Sequence, residues 1–156
     1  MNTSIPWIGK PPKSLQLSHD DARAEIVRAT LQGGRIAVAA KRLAEVCLPH
    51  FEREENYVFP VLGLLPELMK GLVRPEMKQV LPLISDFNAR HDALDSEHRL
   101  MHAAIDELLT ASHLEKSREV AEFAYNMRVH ERIEHEVIYP TVVMIGNYLR
   151  EKLSLH

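Results

Sequence analysis

Two stretches of this chain set a histidine and a glutamate four residues apart: His50 with Glu54, and His130 with Glu134. Each ends in an aromatic–proline pair, Phe59-Pro60 in the first and Tyr139-Pro140 in the second. On an α-helix, residues i and i+4 lie one turn apart on the same face. Each stretch therefore aims an imidazole and a carboxylate at one spot. Facing helices that do this are how helical bundles assemble metal sites. His98 and His102 repeat the spacing with two imidazoles, and His19 adds a fifth.

The elements that must carry these groups read as helices. Apolar residues recur at helical spacing, with no run of period-two alternation, so no strand is expected. The pattern predicts helices over Ser18–Gln32, 35–64 (bent or ended near Pro60), 83–112 and 118–153, with Ser18 as the first N-cap. Gly33-Gly34 and the polar 113–117 stretch read as turns. Gly63, Pro66, Gly71, Pro75 and Pro82 break the 63–83 connection. Residues 1–16 hold Pro6, Pro11 and Pro12 and read as an extended arm that Trp7 pins to the body. Pro140 falls inside the fourth helix and predicts a kink. The expected fold is all-α: an up-down-up-down four-helix bundle over residues 17–156 behind the arm.

The candidate ligands fall inside the core-facing stripes, where Leu or Val would be usual. They also agree in depth. In an up-down-up-down bundle the first and third turns share one end. Counted from those turns, His19, His50, Glu54, His98, His102, His130 and Glu134 all lie 13–20 residues away. That is a layer roughly 10 Å thick at ~1.5 Å per residue. Buried carboxylates need partners, and a layer of five imidazoles and two carboxylates points to bound cations.

Composition narrows the alternatives. With 156 residues the chain suits one domain and one core. A net charge of −3 without a basic block argues against nucleic acid as partner. Cys47 is the single cysteine, which excludes an intrachain disulfide, a four-cysteine zinc site and a cysteine-held iron–sulfur cluster. No apolar run is long enough to span a membrane. The first residues lack the pattern of a secretory signal, so a cytoplasmic protein is expected, as monomer or homodimer.

Imidazole with carboxylate suits iron, zinc, copper or nickel. Seven ligands exceed one tetrahedral zinc. They suit two metals bridged by Glu54 and Glu134, the five histidines dividing three and two, with a coordination position left open. Ferritin-type sites place the carboxylate before the histidine and use mostly glutamates, so that class is disfavoured. Around the layer, His91 reads as a surface or supporting residue and His135 as a flank residue about 100° round from Glu134. Asp95 is placed to accept an imidazole N–H and fix its orientation. Cys47, Tyr57 and Tyr139 read as packing residues. His113 and His156 read as solvent-facing.

With His19 near the start of the first helix, HFxxEExxxFP at 50–60, EHxxxH at 97–102 and HxxxEHxxxYP at 130–140, the chain resembles the hemerythrin family over residues 17–150. His135 stands where the oxygen-carrying branch has a carboxylate, and Glu134 precedes it, so the likeness is to the bacterial HHE cation-binding branch. The resemblance implies a non-haem di-iron centre. His98, His102 and His130 would bind one iron, His19 and His50 the other, and Glu54 and Glu134 would bridge them. The function expected is binding of dioxygen, nitric oxide or peroxide for sensing, storage or delivery. The alternatives are redox turnover of these molecules at the same centre, and handling of iron or zinc.

Overall fold

In the computed structural model the structure describes residues 10–154, and every regular element among them is helical. The α-helices are α1 (Lys13–Leu31), α2 (Gly34–Tyr57), α3 (Phe59–Leu62), α4 (Leu65–Leu68), α5 (Leu81–Ala89), α6 (His91–Leu114), α7 (Arg118–Ile133) and α8 (Tyr139–Lys152). A 3-10 helix, Pro75–Val80, precedes α5, and a π-helical turn, Glu134–Ile138, joins α7 to α8. No helix among the described residues is long and apolar enough to cross a membrane.

The long helices pack in a closed series: α1 on α2, α2 on α6, α6 on α7, and α7 back on α1. Each buries the stripe its spacing dictates, such as Ala22, Ile26 and Ala29 on α1 and Leu43, Cys47 and Phe51 on α2. Gly33 turns the chain from α1 to α2 at φ 79°, a conformation that favours glycine. Glu115, in the turn before α7, accepts from the Arg35 amide at 2.6 Å and the Ile36 amide at 3.4 Å. It satisfies two of the free N–H groups at the start of α2. The turn after α1 and the turn after α6 therefore meet at one end of the molecule.

Two apolar clusters divide the interior. One joins α1, α2, α6 and α7 through residues such as Ile26, Leu43, Ile105, Leu108 and Met127. The other lies beneath the short helices and α8, through Phe59, Leu64, Met77, Ile84, Val142 and Leu149.

Several boundaries depart from expectation. Helix α1 begins at Lys13, so the predicted arm is helical from there, and Ser18 lies inside the helix rather than at its cap. Residues 1–9 with Trp7, the side chain of His91, and His156 lie outside the described residues. The predicted third helix is two, broken at Arg90 (φ −100°, ψ 6°). The second helix ends at Tyr57, close to the end expected near Pro60, and 59–80 folds into short helices and turns.

The fourth helix carries the most informative departure. A proline ring in a regular α-helix clashes with the carbonyl four residues back, here that of Glu136. Before Pro140 the backbone widens, and the Tyr139 amide donates to the Glu134 carbonyl, five residues away. One extra residue in a turn rotates everything after it by about 100°. Continuing the stripe of His130 and Glu134 by steps of three and four would bring Val137 and Thr141 inward; instead Ile138 and Val142 are buried, and Tyr139 turns inward as well.

Candidate metal centre

Six of the seven predicted ligands meet in the interior between the two apolar clusters. His19, Glu54, His130 and Glu134 offer donor atoms within 4.8 Å of one another, and so do His50, His98 and Glu134. Glu134 belongs to both groups. Its carboxylate lies 2.5 Å from His130 Nε2, 3.5 Å from His50 Nε2 and 3.6 Å from His98 Nε2. Glu54 Oε2 lies 3.2 Å from His19 Nε2 and 3.6 Å from His50 Nε2. The histidines group as His19 with His130 and His50 with His98, rather than three and two.

His102 is not brought in. Its side chain is 56% exposed and sits beside Glu131. The inward line of α6 runs Leu94, His98, Met101, Ile105, Leu108. After His98 a helix of 3.6 residues per turn can centre either the third or the fourth residue, and here Met101 takes the core.

The imidazoles are oriented from behind. His19 Nδ1 lies 3.0 Å from Glu55 Oε1, which also takes Arg23 at 2.7 Å. His50 Nδ1 lies 3.4 Å from Glu97 Oε2, which also takes Arg53 at 2.7 Å. His130 Nδ1 lies 3.2 Å from the Ser18 hydroxyl. In each ring the outer nitrogen is engaged and Nε2 faces the carboxylates, the arrangement that fixes tautomer and direction in metal-binding histidines. The His19 ring stacks on Phe51 with centroids 4.2 Å apart. Tyr139, read from sequence as packing, donates its hydroxyl to Glu54 Oε1 at 2.7 Å, and the oxygen lies 3.3 Å from His98 Nε2.

Electrostatics follow from burial and crowding. Burial alone would lower the pKa values of His19 and His50. The carboxylates, Glu134 foremost, overcome it and raise both to about 9. Burial pushes the Glu54 carboxyl up, and repulsion from Glu134 adds to it. Burial would raise Glu134 too, but contacts from His130, His19, His50 and His98 hold it well below the usual carboxylate range. Protons on imidazole thus balance the carboxylates, the role a cation takes in a metal site. Even so, Glu54 Oε2, Glu134 Oε1 and His130 Nε2 are buried in close contacts that lack good hydrogen-bond geometry. Buried polar atoms left without well-formed hydrogen bonds are rare and call for a reason. Convergent oxygen and imidazole donors fit divalent metal.

Sequence reasoning missed Glu55, Glu97 and Ser18 as supports. Glu55 and Glu97 adjoin a candidate ligand in sequence, and each has an arginine within reach, a signal the pattern did carry. Glu97 fills the supporting place at His50. His135 is exposed, its ring 6.4 Å from that of His98. Cys47 is fully buried, and burial pushes its thiol up, as for a packing residue. No protein-family model, no curated protein and no solved structure matches the chain.

Proposed function

We propose that the chain is a hemerythrin-like four-helix bundle that holds two non-haem iron ions and binds dioxygen or a related small molecule. The observation that carries this reading is the sharing of Glu134 between two groups of buried donors. A carboxylate with one oxygen toward each group is suited to bridge two cations. His19, His130 and Glu54 would complete one site, and His50 and His98 the other.

The second group has fewer donors, so it leaves more room for an incoming ligand. When bound, iron would supply the redox-active Lewis acid to which a diatomic molecule or peroxide coordinates. The chain's own contribution is to hold the donors rigidly. Glu55 and Glu97 keep the rings of His19 and His50 turned inward, and Tyr139 presents a hydroxyl proton at Glu54. Phe51 and Phe59 flank His19 and exclude water from that side.

The test is reconstitution of metal-free protein with ferrous iron under argon, followed by metal analysis and exposure to oxygen. Two irons per chain are expected, with an iron charge-transfer absorption that responds to oxygen. Glu134→Ala should lose both. One metal per chain, or zinc as the resident ion with no such absorption, would replace this reading with metal handling.

A further inference from the structure

Beside the core site, α6 and α7 enclose an open pocket of about 560 Å³. At its base lies Glu131, 3% exposed, with both carboxylate oxygens lacking a hydrogen-bond partner. Next to it, His102 Nδ1 is 3.1 Å from Glu131 Oε2. We propose that Glu131 and His102 form a third divalent-cation site, weaker than the core pair, from which metal passes inward past His98.

A buried carboxylate with one imidazole beside it and no well-directed hydrogen bond is costly, so Glu131 calls for a cationic partner. None of the arginines lining the pocket hydrogen-bonds Glu131: Arg128 pairs with Asp106 and acts on Glu131 through its charge alone, Arg132 approaches Glu136 at 3.8 Å, and Arg99 donates to Ser96. An anion held by these arginines would face the Glu131 charge. His102 is placed to ligate beside Glu131, its Nδ1 on the pocket side of the same carboxylate. Two protein donors with water completing the shell make a labile site, as transit requires.

The link inward is His98. It lines the pocket, and its Nε2 lies 3.6 Å from Glu134 Oε2. One imidazole thus separates the pocket from the core. The pocket pair and the core ligands share two helices: His102 follows His98 by one turn, and Glu131 follows His130 directly.

The transit role rests on the proposed core centre; the pocket site does not. The experiment titrates metal-free protein with cobalt(II) alone, reading stoichiometry by equilibrium dialysis and filling of the core by stopped-flow absorption. Two tight equivalents and a weaker third are expected. Glu131→Gln and His102→Asn should each remove the third, keep the tight two and slow core filling several-fold. A parent that stops at two, or a Glu131→Gln variant that retains the third, overturns the proposal. So does loss of a tight equivalent in His102→Asn, which would make His102 a core ligand. If the parent takes no tight equivalent, the core reading fails. A weak equivalent that Glu131→Gln removes would then still establish the pocket site.

Discussion

The two apolar clusters are built differently. The one around Leu43 and Ile105 joins long helices whose buried residues keep helical spacing, even past Pro49 inside α2. The one around Met77 and Val142 lies under two four-residue helices, a 3-10 helix, a π turn, α5 and α8, with Pro60, Pro66, Pro75, Pro82 and Pro140 at the starts of helices. The His/Glu layer sits between them. The regular cluster needs only its spacing to form. The irregular one depends more on tertiary contacts, because helices of one turn do not hold on their own. The layer is where the two constructions are joined, so whatever occupies it should support the irregular side more than the regular one.

Removing metal is the strongest way to test that contrast. Ligand at a hundredfold over its Kd stabilises by about 2.7 kcal/mol per site. For a chain of this size that is roughly 5–10 °C in Tm per site. Calorimetry of iron-loaded protein with and without chelator should show a fall of at least that size. Hydrogen exchange should rise more over 134–149 than over 36–43. An unchanged melting curve, or an equal rise in both segments, would break the comparison.

Leu43→Ala probes the regular side alone. Leu43 is fully buried among apolar neighbours. Deleting such a side chain costs about 2–5 kcal/mol through lost burial and the cavity left behind. Denaturant titration should show that loss while metal analysis still gives the parent stoichiometry. A variant that folds but loses metal would mean the regular cluster is not independent of the layer.

This division also marks how far the sequence could be read. On the regular side, glycine turns and stripes such as Ala22, Ile26 and Ala29 disclosed helices and their inner faces. The matching depths of His19, His50, Glu54, His98, His130 and Glu134 came from the same spacing. On the irregular side proline controls the path. The widened turn before Pro140 shifts the inward positions by one, which no fixed period anticipates, and so Tyr139 was read as packing. His102 failed for a smaller reason: a spacing of four fits a helix face only to within a fraction of a turn, and Met101 competes for it. Glu131 was overlooked because a glutamate between two ligands on an amphipathic helix usually faces water.

The metal-free layer should be sensitive to pH, which sharpens the same contrast from the electrostatic side. His19 and His50 are raised from 6.5 to about 9, so the fold holds their protons more tightly than the unfolded chain does. That stabilisation is complete below about pH 6.5 and is lost as pH climbs through 9. Glu131 acts in the same sense but earlier, since burial raises its carboxyl from 4.5 to about 7 and its share is mostly lost before pH 7. Tm of metal-free protein should therefore fall by a few degrees between pH 6.5 and 9. Loading with metal should flatten the curve and release protons to the buffer. A metal-free Tm that rises over this range would contradict the charge pattern.

The smallest effect expected is that of Tyr139→Phe, and it isolates what the π turn contributes. The ring stays and keeps its packing against Phe87 and His98. Only the hydroxyl that donates to Glu54 is lost. A hydrogen bond to a carboxylate contributes about 1.5–3 kcal/mol when the acceptor stays buried and charged. Glu54 sheds part of that cost, because burial and Glu134 already push it toward its protonated form. A loss nearer 1 kcal/mol is expected in metal-free protein by denaturant titration, since hydrogen bonds typically contribute about that much. If the turn serves to bring this hydroxyl to the site, the iron-loaded variant should also show a displaced charge-transfer absorption at unchanged iron content. Equal spectra with equal iron would leave the π turn as a packing solution to Pro140 and nothing more.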